Sequence, residues 1–186
     1  AAQINKSLRQ YLVITGSYWA FTLSDGALRM LIVLHFHHIG YTAIEIAMLF
    51  VFYEFFGVIT NFTGGWLGAR IGLNKTMYIG LFLQLIALSM LLVPTNMLSV
   101  FWVMCAQALS GIAKDLNKTS AKSSIKLFVD DGTEGKLYKW VAGLTGSKNT
   151  MKGLGFFLGG LLLLVLDFRE AIAVLISPVI IAIVSN

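Results

Sequence analysis

The chain has 186 residues, of which 57% are hydrophobic and only 12% charged, and its formal net charge is +5. Soluble domains carry about 25% charged residues, so this composition excludes an ordinary soluble domain and places the chain among membrane proteins. The basic residues fall in short links and inside apolar runs rather than on one soluble face, which excludes nucleic acid as a partner and leaves the lipid bilayer as the expected surroundings.

Six apolar segments follow one another, at about 11–35, 43–68, 76–93, 97–122, 137–166 and 171–184. A membrane-spanning helix needs about 20 residues, so the sequence predicts an all-α membrane protein of six spans. The sixth segment is short. With the missing initiating Met and the stop at Ser185-Asn186, this reads as a fragment whose C-terminal half is absent. The polar start AAQINKSLRQ runs into a full-length segment with charges inside it, which is not the pattern of a cleaved signal. Lys6, Arg9, Arg70, Lys75, Lys126, Lys136 and Lys139 flank alternate links. By the positive-inside rule the N-terminus and the second and fourth links are cytoplasmic. The fourth link, VDDGTEG, carries the clearest turn signal.

Polar residues are unevenly shared among the segments. The first carries Tyr18, Thr22, Asp25 and Arg29 on one helical face, with Asp25 and Arg29 an i,i+4 pair of opposite sign. The second carries Glu54 near its middle, with Asn61 further on. The third offers only Gln84 and Ser89 and the sixth only Ser177, so these two are predicted to face lipid. In the fourth, Gln107, Gly111, Lys114, Lys118 and Lys122 recur at steps of four, three, four and four, which puts them on one face, and Asp115 and Asn117 lie beside them. The fifth carries Lys148, Asn149 and Lys152, continued by Gly155 and Gly159, a spacing that serves close helix contact.

A lysine near the bilayer centre costs about 2.5–3.5 kcal/mol on insertion scales, so a stripe of them must face water, counter-charges or an anionic ligand. The expected site is therefore a cation-lined cavity between the first, second, fourth and fifth helices. Arg29, Lys114, Lys118, Lys148 and Lys152 would bind an anion, with Gln107, Asn117 and Asn149 as hydrogen-bond donors. Asp25, Glu54 and Asp115 would couple protons or balance the lysines. Lys122 and Lys126 sit where they can snorkel to the interface. His35, His37 and His38 have no carboxylate or cysteine beside them and are not read as a metal site. No cofactor is expected. There is no nucleophile–base pair, so the chain is not read as an enzyme.

Six spans with polar first, second, fourth and fifth helices resemble the N-terminal half of a major facilitator superfamily transporter. The second link, GGWLGARIGLNK, resembles that family's G-x-x-x-D-R-x-G-R-R/K gating loop, with Gly65, Arg70 and Gly72 matching and Ala69 in place of the aspartate. Gln107 and Gly111 resemble its R-x-x-x-G segment, and the run from Gly155 to Gly160 resembles the antiporter pattern G-P-x-x-G-G with Phe156 for proline. The strings YWAFTLSDGALRMLIVLHFH, AQALSGIAKDLNKTSAKSSIK and LTGSKNTMKGLGFFLGG are similar to the ArsJ organoarsenical efflux permeases. That resemblance implies export of 1-arseno-3-phosphoglycerate across a bacterial inner membrane, arsenate resistance, and a functional link to glyceraldehyde-3-phosphate dehydrogenase. The single Cys105 cannot build a three-thiolate site, so the residues favour an oxyanion over arsenite. Another organophosphate or organic anion would use the same stripe, and a non-transporting membrane scaffold would instead pair these charges with protein partners.

Overall fold

The computed structural model describes residues 2–128 and 134–186, with the side chains of residues 2–7, 128 and 134 outside the description. Most of the VDDGTEG link and the Lys6 side chain therefore lie outside the described residues. Seven α-helices follow in order: α1 (Ala2–His38), α2 (Ala43–Leu49), α3 (Val51–Ile71), α4 (Leu73–Met90), α5 (Val100–Phe128), α6 (Glu134–Val165) and α7 (Phe168–Ser185). Helices α2 and α3 together make the second span, and a short 3-10 turn, Thr95–Met97, joins α4 to α5. The described chain thus crosses six times. An all-helical solution is one of the two that a bilayer permits, because in a helix every backbone group in hydrocarbon finds its partner within its own segment.

The ends of these helices follow from local chemistry. Thr42 accepts a hydrogen bond from the Glu45 N–H at 3.3 Å, while the Glu45 carboxylate accepts from the Thr42 N–H at 2.7 Å, a reciprocal cap that starts α2. Asp167 and Glu170 repeat the device at the start of α7. The second predicted segment is broken once, at Phe50, whose N–H bonds the carbonyls of Ala47 and Met48 rather than staying in the α ladder. Gly72 alone separates α3 from α4, with φ of +94°, a conformation that costs glycine nothing and other residues a steric penalty. The expected gating loop around Gly65, Arg70 and Gly72 thus shrinks to one non-helical residue. Gly65 lies inside α3 with open space beside it, and Arg70 stacks on the exposed ring of Trp66 at 5.2 Å.

By length and composition Ala43–Ile71, Leu73–Met90 and Phe168–Ser185 are apolar enough to cross a membrane on their own. Helices α1, α5 and α6 are longer but charged, so they depend on their neighbours. Helix α1 packs on α6 and α7, α5 packs on α3 and α4, and α4 meets α7. As expected, the third and sixth spans form a wall with an apolar outer face, including Ile79, Phe82, Ile86, Ile181 and Val184. Gln84 departs from that expectation. It is fully buried and turned inward.

Two apolar clusters fill the interior. One gathers Leu31, Phe36, Leu49, Leu88, Val103 and Leu175; the other gathers Ile14, Phe21, Leu81, Ala113, Ile125 and Leu144. Between them on the same helices lie Ser24, Gln84, Gln107 and Ser110, all buried, so a polar layer crosses the bundle at mid-height.

Glycines set how closely the paired helices approach. A Cβ at Gly155 of α6 would stand 2.7 Å from the Leu23 carbonyl of α1, and one at Gly159 would meet the Ala27 carbonyl at 2.5 Å. Helices α3 and α5 are as close, with Gly111 pressed on the Tyr53 carbonyl. Backbone cannot yield as a side chain can, and overpacking of this kind costs about 1–3 kcal/mol. Gly155→Ala should therefore lower the melting temperature in detergent, whereas Gly153→Ala, which meets nothing within 4 Å, should leave it unchanged or raise it. Equal loss from both would mean that helix propensity, not the α1–α6 contact, sets the requirement.

Candidate anion-binding face

The charged residues of α1, α3 and α5 converge on Tyr53. Gly57 and Gly111 let α3 and α5 come close, which leaves the Tyr53 ring between the two helices and α1. Its face carries two cations, the Arg29 guanidinium at 4.7 Å and the Lys114 ammonium at 4.2 Å from the ring centroid. Both approaches fall within the range of cation–π attraction. Its hydroxyl donates to the Asp25 carboxylate, 2.8 Å from Oδ2 and 3.0 Å from Oδ1. Ser110 of α5 stands 3.4 Å from the same carboxylate and donates at 2.8 Å to Gln84 Oε1 of α4. Tyr53 is buried to 2% exposure. One aromatic side chain thus ties α1 to α3 and α5, and Ser110 extends the tie to α4.

Ion pairs join the same helices, and one differs from the sequence expectation. Arg29 does not pair with Asp25, its i,i+4 neighbour. Its Nη2 meets Glu54 Oε1 at 3.1 Å, because Asp25 is turned toward the Tyr53 hydroxyl. Glu54 Oε2 lies 3.7 Å from Lys114, and Asp115 lies 3.9 Å from Lys114 and 3.8 Å from Lys118. From α6, Lys152 lies 5.7 Å from the Phe156 ring centroid. The Lys152 backbone carbonyl packs against Gly26 of α1, next to Asp25. Cations from α1, α5 and α6 therefore sit on helices in mutual contact. Among the described residues no carboxylate lies within the 4.0 Å ion-pair distance of Lys148 or Lys152.

The expected hydrogen-bond donors are not part of this convergence. Asn117 is fully buried against Gly80 of α4, and its Nδ2 donates to the Ala113 carbonyl at 3.2 Å. It occupies the α4–α5 contact, away from the lysines, because it lies off the stripe by one helical position. Gln107 is buried in the polar layer, and Asn149 is exposed. Lys122 is half-buried and Lys126 exposed, as snorkelling residues would be. Asn61 is exposed, and Cys105 is half-buried.

A hollow of about 850 Å³ is lined by His35, His37, His38, Asp167, Phe168 and Arg169, at the helix ends opposite Arg70 and Lys126. His35 stacks on Phe168 with centroids 4.2 Å apart. Among the described residues no group of three histidine, cysteine or acidic side chains is placed to hold a metal ion.

Tyr53, Ser110 and the inward Gln84 are the residues of this face that sequence reasoning missed. An aromatic beside Glu54 in an apolar run gives no polarity signal. The available clue was Gly57, four residues on, which marks the face of α3 that meets α5.

The pattern of the Major Facilitator Superfamily matches residues 14–185. The chain belongs to this superfamily, and with its apolar helices it is a multi-pass membrane protein of a transporter family. Its fold is similar to that of a bacterial homologue of the human drug peptide transporters PepT1 and PepT2, with TM-score 0.79 and 14% identity over 96% of this chain and 41% of that one. It is similar also to tetrameric PepTSo2, with TM-score 0.79 and 13% identity over 96% of this chain and 40% of that one. The chain thus spans about two fifths of the length of these solved structures. Among curated proteins nothing matches it.

Tyr53→Phe keeps the ring beneath both cations and removes the donor to Asp25. A buried acceptor left unsatisfied costs about 1–3 kcal/mol. The variant should melt at lower temperature in detergent than the parent, and Tyr53→Leu lower again. A Tyr53→Phe melting curve that overlays the parent would show that Asp25 does not depend on the hydroxyl.

Proposed function

We propose that the chain is the N-terminal half of an organoarsenical efflux permease that exports 1-arseno-3-phosphoglycerate by alternating access, rocking against a C-terminal half around a midplane site. The protein would sit in a bacterial inner membrane with its N-terminus in the cytoplasm, and would act with a glyceraldehyde-3-phosphate dehydrogenase that makes the arsenylated product. The observation that carries the anion reading is the surplus of cations on the α1–α3–α5–α6 face. Arg29, Lys114, Lys118, Lys148 and Lys152 outnumber Asp25, Glu54 and Asp115, and among the described residues Lys148 and Lys152 have no ion-paired carboxylate. A lysine left without a counter-charge at this depth is tolerated when a water-filled cavity or a bound anion supplies the compensation. The substrate carries an arsenate ester and a phosphate, so it brings several negative charges. Arg29 offers a planar fork to such oxyanions and the lysines offer mobile point charges.

The arsenical itself is proposed from the sequence strings that resemble the permeases. A different organophosphate would meet the same lysines, and a substrate panel in membrane vesicles separates the two. Resistance of cells expressing the complete permease with its dehydrogenase gives the primary test. Lys114→Ala, Lys118→Ala and Lys152→Ala should each abolish arsenate resistance at unchanged protein level. Each removes one charge-assisted contact, worth about 1.5–3 kcal/mol, or about ten- to a hundredfold in affinity. Lys152→Ala is the cleanest of the three, since it breaks no ion pair among the described residues. Arginine at these positions should rescue in part, because its planar fork requires another geometry. Full resistance from the alanine variants would remove the stripe from any role in binding the anion.

A further inference from the structure

Three carboxylates face the cations, but they are held differently. Asp25 is fixed by the Tyr53 hydroxyl at 2.8 Å and flanked by Ser110. Asp115 is 5% exposed and sits between Lys114 and Lys118. The Glu54 side chain is 60% exposed, while its partners Arg29 and Lys114 are only 29% and 28% exposed. The carboxylate therefore lies on the outer side of the two cations it neutralises.

Its grip is also incomplete. One oxygen meets Arg29 at 3.1 Å, and the other stands 3.7 Å from Lys114, beyond the usual N–H···O hydrogen-bond range of about 2.7–3.2 Å. Arg29 Nε is buried and has no hydrogen-bond partner. The two cations do not need Glu54 to stay where they are. The Tyr53 ring holds both from the protein side, and Asp115 also holds Lys114. If Glu54 left, a preorganised pair of cations would remain.

We propose that Glu54 is a resident stand-in for the transported anion: its carboxylate fills the oxyanion position between Arg29 and Lys114 in the empty carrier, and a phosphate-type oxyanion displaces it on binding. This rests on the anion-transport reading above but not on the arsenical. A tetrahedral oxyanion presents three terminal oxygens where Glu54 presents two, so it can span Arg29 and Lys114 with better geometry and engage the guanidinium along its side. The displaced Glu54 carboxylate can move aside without breaking packing in this chain, because it is already exposed on it. Its return when the anion leaves restores charge balance across α1, α3 and α5, so the empty bundle does not face two unneutralised cations. Glu54 would then set affinity downward and release upward.

The test is equilibrium binding of 3-phosphoglycerate and of inorganic phosphate to the complete permease purified in detergent, with monodispersity checked by size-exclusion chromatography. Glu54→Gln keeps the shape and removes the competing charge, and should bind 3-phosphoglycerate about tenfold or more tightly than the parent, the size of one charge-assisted contact. Glu54→Asp, which retains the charge, should stay close to the parent. In vesicles Glu54→Gln should show lower KM and lower kcat together, the pattern of a site that binds well and releases slowly. Affinity in Glu54→Gln equal to or weaker than the parent, with a monodisperse protein, would overturn the inference. So would failure of both proteins to bind either probe. Tighter binding by Glu54→Gln in a carrier that moves no arsenical compound would uphold the role of Glu54 and defeat the arsenical assignment alone.

Discussion

Cations placed inside a bilayer need compensation, and here two of them find it on one aromatic ring. Arg29 comes from α1 and Lys114 from α5, yet both stack on Tyr53 of α3. The far end of that ring is bound to Asp25. Three helices are thereby joined through one ring, in addition to the ion pairs each cation makes. Glu54 and Asp115 are left to bridge outward, to Arg29, Lys114 and Lys118. The rest of the site depends on this knot. Were Tyr53 displaced, α1 would keep only the Arg29–Glu54 pair to α3, and Asp25 would keep only the long Ser110 contact at 3.4 Å.

The close helix contacts give the knot its position. Gly155 and Gly159 seat α6 on α1, and Gly57 and Gly111 seat α3 against α5. Two tightly packed pairs result, each with a charged edge. The apolar clusters above and below the polar layer clamp the pairs together, while α4 and α7 shield them from lipid on one side. This division of labour explains why α1, α5 and α6 can be more charged than an isolated span allows. They are not isolated spans.

Much of this was readable beforehand, for physical reasons. The six spans follow from apolar runs of bilayer length, and the outer wall of α4 and α7 follows from their lack of charge. The lysine stripe follows from the period of α5. What escaped was the choice among partners at similar distance. Asp25 and Arg29 lie one turn apart on α1, and spacing alone pairs them; the structure separates them because Tyr53 and Glu54, neighbours on α3, each take one. Asn117 was assigned to the anion, but it faces Gly80, since one position off the stripe turns it by about 100° toward α4. The break at Phe50 and the collapse of the second link onto Gly72 left no pattern in composition. Both are backbone events that a hydrophobicity profile averages away.

The central claim is that the lysines of α5 and α6 line a water-accessible path with a positive potential. It is tested most directly by thiol chemistry in the complete protein on a Cys105→Ser background. Single cysteines at positions 148 and 152 should react with membrane-impermeant thiosulfonates, faster with an anionic reagent than with a cationic one, and 3-phosphoglycerate should slow both reactions. Cysteines replacing Phe82 and Ile181 on the apolar outer face should not react. Silent positions 148 and 152, or equal rates with the two reagents, would contradict the account.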